Sequence, residues 1–359
     1  MAPLDIVILG LSITSSWGNG HATTYRGLMR ELVRAGHRVT FLERDVPWYA
    51  QHRDLPCPPY GRTELYASLD DLAGRFAAEV RNADLVIVGS YVPAGVQVGR
   101  WVVATARGLT AFYDIDTPVT LAKLARGDHE YLEPALIARY DVYLSFTGGP
   151  TLARLERDFG SPCARPLYCS VDPELYRPAD GTPRCDLSYL GTYSPDRQPT
   201  LDRLLLEPAR RRPRLRCVVA GPQYPDDIAW PANVVRRDHV PPGEHAAFYG
   251  DSRFTLNVTR GDMIAAGWSP SVRLFEAAAC GVPVISDDWP GLGDFFVPGH
   301  EILIASDADE ALAHLTMRDA DRRAIAARAR AAVLARHTAA DRAGELVEHV
   351  AALRPRVRA

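Results

Sequence analysis

The 359-residue sequence predicts an α/β protein of two tandem doubly wound, Rossmann-like domains facing a cleft. Three observations carry that reading. Short β-branched runs alternate with amphipathic helical stretches through both halves of the chain. The alternation breaks at residues 166–186, PLYCSVDPELYRPADGTPRCD, which are punctuated by Pro and Gly. The length suits about two domains.

In order, residues 4–10 form a buried strand, 11–20 a polar glycine-containing loop, and 21–35 an amphipathic helix. Gly36 stops that helix and 38–43 is the next strand, completing a βαβ unit with a right-handed crossover. Residues 46–62, rich in Pro and aromatics, read as a long loop. Helices follow at 69–80, 95–107, 118–126 and 150–159, and strands at 83–89, 110–114 and 141–146. In the second alternation the strands are 187–191, 215–221, 233–236, 254–259 and 282–286, with helices at 196–207, 243–250 and 271–280. From residue 307 the chain is helical, at 307–317, 319–336 and 338–352. These elements set an N-terminal domain at 1–168, an interdomain linker at 169–186 and a second domain at 187–337.

The net charge of −3 argues against a nucleic-acid surface. Lys123 is the sole lysine among many arginines and alanines, as a GC-rich bacterial genome would give. A mechanism needing a lysine elsewhere is therefore excluded. The six cysteines show neither CxxC nor metal-ligand spacing; Cys217 and Cys280 lie in apolar runs and read as core thiols. A reducing compartment fits. MAPLDIVILGL has no basic leader and is too short to span a membrane, so the expectation is a cytoplasmic protein without integral membrane contact.

The chemistry concentrates in SPSVRLFEAAACGVPVISDD, residues 269–288. Ser269 and Ser271 are candidate N-caps and Pro270 suits a helix entrance. Gly281 ends the helix, and Val282 to Ile285 is a buried strand. Arg273 lies in the first turn, where a cation opposes the helix dipole unless an anion meets it, which points to a phosphate. Glu276 falls on the same helix face. Upstream, GDMIAAGW at 261–268 would contact whatever group the phosphate carries.

The loop SSWGNGH, 15–21, joins the first strand to the first helix, and its glycines admit close backbone approach to a ligand. Gly18 and Asn19 are candidate donor-binding positions there. His21 is either a helix-end histidine or, facing the cleft, a general base. The loop lacks a GxGxxG dinucleotide fingerprint. The pair Asp114 and Asp116 has three readings: caps for the next helix, ligands of a divalent cation, or a carboxylate that orients His21. Asp287 and Asp288 read as a solvated strand end.

The segment SPSVRLFEAAACGVPVISDDWPGLGDFF resembles the donor-binding segment of GT-B glycosyltransferases in its CgeB-like, spore-maturation-type form, related to family 4 enzymes. SSWGNGHATTYRGLMRELVRAGHRVTFLERD, FYDIDTPVTL, SFTGGPTL, PLYCSVDPELYRP and YLGTYSPDRQPTLDRLL are similar to its other segments, in order, over nearly the whole chain. The resemblance implies a nucleotide sugar, UDP favoured, bound by the second domain, and an acceptor near His21. The diphosphate would lie at Ser271, Val272 and Arg273, with Arg197 as a second cation. Glu276 would accept the ribose hydroxyls, and backbone at His239 and Val240 would frame the base. His21 with Asp116 would be catalytic, no metal or other cofactor is expected, and the helix in 338–359 would pack back on the first domain. Two positions depart from family 4: Trp268 stands where a glutamate is common, and the second domain has no lysine for the diphosphate. The competing readings are a sugar-nucleotide epimerase on this scaffold, a non-catalytic nucleotide-sugar-binding protein, and a metal-dependent single-domain transferase using 114–116.

Overall fold

The computed structural model describes residues 2–18, 20–179 and 181–357. The chain divides into two compact units: residues up to Cys169 together with those from Ala339 onward, and Ser170–Thr338.

The first unit is built from β1 (Asp5–Gly10), α1 (Gly20–Arg34), β2 (Arg38–Arg44), α2 (Pro47–Ala50), β3 (Arg62–Tyr66), α3 (Leu69–Asn82), β4 (Leu85–Gly89), α4 (Gly95–Thr105), β5 (Leu109–Asp114), α5 (Thr117–Ala125), α6 (Pro134–Ile137), β6 (Val142–Ser145), α7 (Pro150–Phe159) and β7 (Ala164–Pro166). Its strands form one sheet in the order β3-β2-β1-β4-β5-β6-β7, every pair parallel. Side-chain alternation explains its two covered faces. Ile6 and Ile8 point into a core with Leu28 and Leu32 of α1, whereas Val7 and Leu9 point into a second core with Leu72 and Phe76 of α3.

The second unit contains β8 (Cys185–Leu190), α8 (Gln198–Leu201), a π-helical turn (Asp202–Leu206), α9 (Glu207–Arg211), β9 (Cys217–Ala220), β10 (Val234–Arg237), α10 (His245–Gly250), β11 (Ser252–Asn257), α11 (Gly261–Ala266), α12 (Val272–Ala279), β12 (Val284–Ser286), β13 (Leu303–Ile304), α13 (Ala308–Leu315) and α14 (Asp319–Arg336). Its parallel sheet runs β10-β9-β8-β11-β12-β13. A last helix, α15 (Ala339–Val357), belongs to the first unit. Its Ala343, Leu346 and Val350 join the core of Ile6 and Ile8. The approach to α1 is close: a Cβ on Gly27 would come within 3.0 Å of the Ala339 Cβ.

Where sequence and structure differ, the causes are local. The expected loop 46–62 is followed by a strand, β3, an edge strand whose charged RTELY obscures the pattern. Strands β7 and β13 are edge strands of 3 and 2 residues, too short for a periodicity. The expected helix 196–207 runs on to Arg211 although Pro208 has no N–H to donate. The π-helical turn absorbs this, with Glu207 N donating to Asp202 O, five residues back.

Both strand orders reverse once, between β1 and β4 and between β8 and β11. In open α/β sheets ligands bind beyond the strand C-termini at such switch points. His21 follows β1 at the first of these points and Arg273 bridges the ends of β8 and β11 at the second, whereas Asp116 follows β5, and His239 and Val240 follow the edge strand β10.

Candidate functional site

In the second unit, β8 ends at Leu190 and β11 at Asn257, side by side at the switch point. Arg273, in the first turn of α12, bridges these ends: its Nε donates to the Leu190 carbonyl and its Nη1 to Asn257 Oδ1 at 2.9 Å. Its guanidinium also lies 4.9 Å from the centre of the Tyr189 ring. Asn257 is oriented in turn, because its Nδ2 donates to Ser286 Oγ at 3.0 Å and Thr259 Oγ1 at 3.1 Å. Asp287 closes this buried network, accepting from Thr259 N at 3.0 Å and Thr259 Oγ1 at 2.8 Å. Burial raises the Asp287 pKa, opposed by those bonds and by the charge of Arg273. A solvated strand end, the sequence reading of Asp287, is therefore corrected: this carboxylate is buried and bonded, whereas Asp288 is exposed.

Arg197, just before α8, is a second buried cation here; its Nη2 donates to the Thr192 carbonyl, and its Nε is buried without a hydrogen-bond partner. Its pKa is lowered by burial first and then, against the opposing influence of Tyr189, by the charges of Arg273 and Arg260. Among the described residues neither Arg197 nor Arg273 has a carboxylate within 4.0 Å. Buried charge without a counter-charge is expensive, and an anionic ligand relieves it. Gly191 makes room: a Cβ there would stand 2.7 Å from the Tyr189 hydroxyl and 2.8 Å from Arg273 Nη2. Arg260, Tyr189 and Asn257 were missed from sequence because their roles depend on strands distant in the chain.

Ser271 is the N-cap of α12, but its side chain makes no capping bond; Ser271 and Val272 are half-buried at the helix start. The buried Glu276 lies a turn further on, with its Oε2 accepting from the Tyr249 hydroxyl at 3.1 Å and 3.8 Å from His245 Nδ1. His245 Nε2 is 3.1 Å from the Val240 carbonyl, so Val240 and Glu276 are joined through His245. His239 is exposed beside them. Trp268 has a left-handed backbone, φ 44°, held by its N–H on the Pro290 carbonyl at 2.7 Å and its Nε1 on Asp294 Oδ2 at 2.5 Å. A Cβ on Gly291 would meet the Trp268 ring at 2.5 Å, so this packing requires glycine.

In the first unit the loop after β1 is pinned from below. The buried Glu43 carboxylate accepts from Ile13 N at 2.7 Å, Thr14 N at 3.0 Å and Thr14 Oγ1 at 2.7 Å. Arg26 and Ser16 both clamp Asp54, and their bonds hold its pKa below the carboxylate range against the effect of burial. Gly18 is an exposed left-handed turn residue, φ 58°; Asn19 lies outside the described residues.

His21, at the start of α1, packs against Tyr91, with ring centroids 5.3 Å apart and edge to face. Burial lowers its pKa to about 4, so the imidazole is neutral at pH 7. Asp116 stands at the N-cap of α5 without a side-chain capping bond, and its Oδ2 accepts from the Tyr91 hydroxyl at 3.3 Å. Asp114 is different: it is fully buried and accepts from Tyr143, from Thr120 Oγ1 at 2.8 Å and from Asp116 N at 3.2 Å. Burial raises its pKa to about 6. Asp114 therefore organises the strand end, and Asp116 shares its phenol with His21. Among the described residues no three His, Cys, Asp or Glu side chains converge as a metal site.

Residues 197–348 match the family described as glycosyl transferase-like. No curated protein matches the chain. Among solved structures the chain is similar to sucrose-phosphate synthase from Thermosynechococcus elongatus, at 16% identity and a TM-score of 0.70 over 97% of this chain and 99% of that one. It is similar to Anabaena HepE in complex with UDP and glucose, at 14% and 0.68 over 97% and 100%. It is also similar to an alpha-glucosyltransferase in complex with UDP and a 13-mer DNA, at 13% and 0.71 over 98% and 100%. The fold is that of GT-B glycosyltransferases. The family match covers most of the second unit and the first half of α15.

Proposed function

We infer that this enzyme moves a sugar from a nucleotide-diphosphate sugar to a hydroxyl or similar nucleophile of an acceptor, without a metal. The observation that carries the donor class is the pair Arg197 and Arg273: two buried cations at the switch point of the second sheet with, among the described residues, no carboxylate within 4.0 Å. Positioned guanidinium groups stabilise the charge that builds on a departing diphosphate, the task a divalent cation performs in other enzymes. Ser271 and Val272 offer the helix start, Glu276 the ribose acceptor, and the backbone at His239 and Val240 the frame for the base. UDP is the favoured nucleotide, supported by structural neighbours that hold UDP or UDP-glucose.

On the acceptor side, neutral His21 takes the proton of the attacking hydroxyl, and Asp116 offsets the imidazolium that forms. The acceptor oxygen bonds to the anomeric carbon as the bond from that carbon to the diphosphate oxygen breaks, its electron pair leaving with the diphosphate. Such a base suits inversion. The net charge of −3 favours an acceptor other than nucleic acid. Within the class we read the chain as bacterial, CgeB-like and cytoplasmic; among the described residues no helix is long and apolar enough to cross a membrane.

A thermal-shift screen of nucleotide sugars tests the donor class. A ligand at 100 times its dissociation constant adds about 2.7 kcal/mol of stability, and no shift with any of them would overturn the reading. Transfer that persists in excess EDTA supports the metal-free route, and a strict Mg²⁺ requirement contradicts it.

A further inference from the structure

We propose that Tyr91 is the positioning residue of the acceptor-side base: its hydroxyl holds the Asp116 carboxylate and its ring edge holds the His21 imidazole, setting the two as one acid–base pair. The inference rests on the roles given above to His21 and Asp116. Tyr91 follows β4, whose partner β1 leads into the His21 loop on the other side of the switch point. Neither sequence motif contains it. Two geometric facts single it out. Its ring contacts His21, at 5.3 Å, and its hydroxyl bonds to Asp116, at 3.3 Å. It also holds a left-handed backbone, φ 62°, and Ala94, three residues on, is left-handed too, φ 56°. Such conformations are unfavourable for residues with a Cβ and persist where the surroundings enforce them, which is common at functional sites.

The phenol is itself braced. Its ring lies 4.6 Å from the Tyr131 ring, and Lys123 Nζ is 5.5 Å from the one and 5.3 Å from the other. The Tyr131 hydroxyl is 2.8 Å from Thr120 Oγ1, which donates to Asp114 Oδ1. The titratable and charged groups facing Tyr91 are thus His21, Asp116, Asp114, Tyr131 and Lys123. Burial first, and then the charge of Asp116, raises the Tyr91 pKa, so the phenol stays protonated and donates. A donor to a carboxylate favours its charged form, and a carboxylate kept charged can offset a forming imidazolium.

Tyr91→Phe keeps the ring and removes the donor. With UDP-glucose as donor and water as acceptor, UDP release is expected to fall about tenfold in kcat, the effect of one hydrogen bond to a charged group. The KM for UDP-glucose and the thermal midpoint stay unchanged. The acid limb of the kcat profile moves to higher pH, because Asp116 loses its donor. A wild-type kcat and acid limb in this variant would overturn the proposal. Tyr91→Ala removes the ring as well, and the His21 proton resonances are expected to titrate above the native value of about 4. An unmoved His21 titration would remove the ring contact from the proposal. If His21→Ala and Asp116→Ala both retain full turnover, the base assignment fails and this inference with it. If those two are inactive and Tyr91→Phe is not impaired, only the role of Tyr91 fails.

Discussion

Arg273 and Asn257 are joined by a 2.9 Å bond, guanidinium to amide oxygen, at the point where the strand order of the second sheet reverses. A neutral amide fixes the cation without cancelling its charge, which leaves that charge for a ligand. Lysine could not hold Leu190, Asn257 and an anion together, since it presents a point charge rather than a fork. Arg273→Lys is expected to weaken UDP binding by roughly 1.5–3 kcal/mol, measured by calorimetry. Unchanged affinity would remove Arg273 from the diphosphate.

Gly191 is expected to be intolerant of substitution. Its missing Cβ would stand 2.8 Å from Arg273 Nη2 and 2.7 Å from the Tyr189 hydroxyl, so Gly191→Ala must displace the guanidinium. UDP affinity should fall as far as in Arg273→Lys. A crystal structure of the variant with Arg273 unmoved and binding intact would refute this.

Glu276→Ala should produce two separable losses. The buried Tyr249 hydroxyl loses its acceptor, lowering stability by roughly 1–3 kcal/mol, and a ribose acceptor disappears, weakening UDP binding by a similar amount. Tyr249→Phe should show little of the second effect. Equal UDP affinity of Glu276→Ala and the native enzyme would leave Glu276 a packing residue.

His21 has a folded pKa of about 4, below its ordinary value of 6.5. The unfolded chain therefore binds the proton first, and the stability this contributes is complete above pH 6.5 and is lost as pH falls toward 4. Relative to His21→Gln, the native enzyme should lose stability over that window in pH-dependent denaturant melts. Parallel curves would contradict the burial of this ring.

Asp114 works in the opposite direction. Its folded pKa, about 6 against an ordinary 3.8, means that the folded state binds the proton first, so stability decreases as pH rises from 3.8 through 6. Asp114→Asn should gain roughly 2 kcal/mol relative to the native protein between pH 4 and pH 8. A constant difference across that range would show that the bonds from Tyr143 and Thr120 already offset the burial.

The alternation of β-branched and amphipathic stretches carried the two-sheet architecture, because buried parallel strands must be apolar on both faces. It could not reveal β3, whose exposed edge tolerates Arg62 and Glu64, or β13, with a single buried residue. Arg273 was legible as a candidate cation because charge in the first turn of an apolar helix stands out locally, whereas Arg197 entered only through the resemblance to GT-B enzymes. Tyr91 and Asn257 were not legible. Each reads as an ordinary strand-end residue until the sheet order brings β1 beside β4 and β8 beside β11. Asp114 and Asp116, two residues apart, looked alike in sequence. Only the fold separates a carboxylate enclosed by Tyr143 and Thr120 from one facing Tyr91.

Helix α15 has a consequence for biosynthesis. Leu346 and Val350 belong to the core that also holds Ile6, Ile8 and Leu28, yet they leave the ribosome only after all of Ser170–Thr338 has been made. At elongation speeds of roughly 5–20 residues per second that interval is on the order of ten seconds. During it, Ile6, Ile8 and Leu28 lack part of their cover and are exposed to chaperones and proteases. A nascent chain stalled before Ala339 should therefore be more protease-sensitive in its first 169 residues than the released protein.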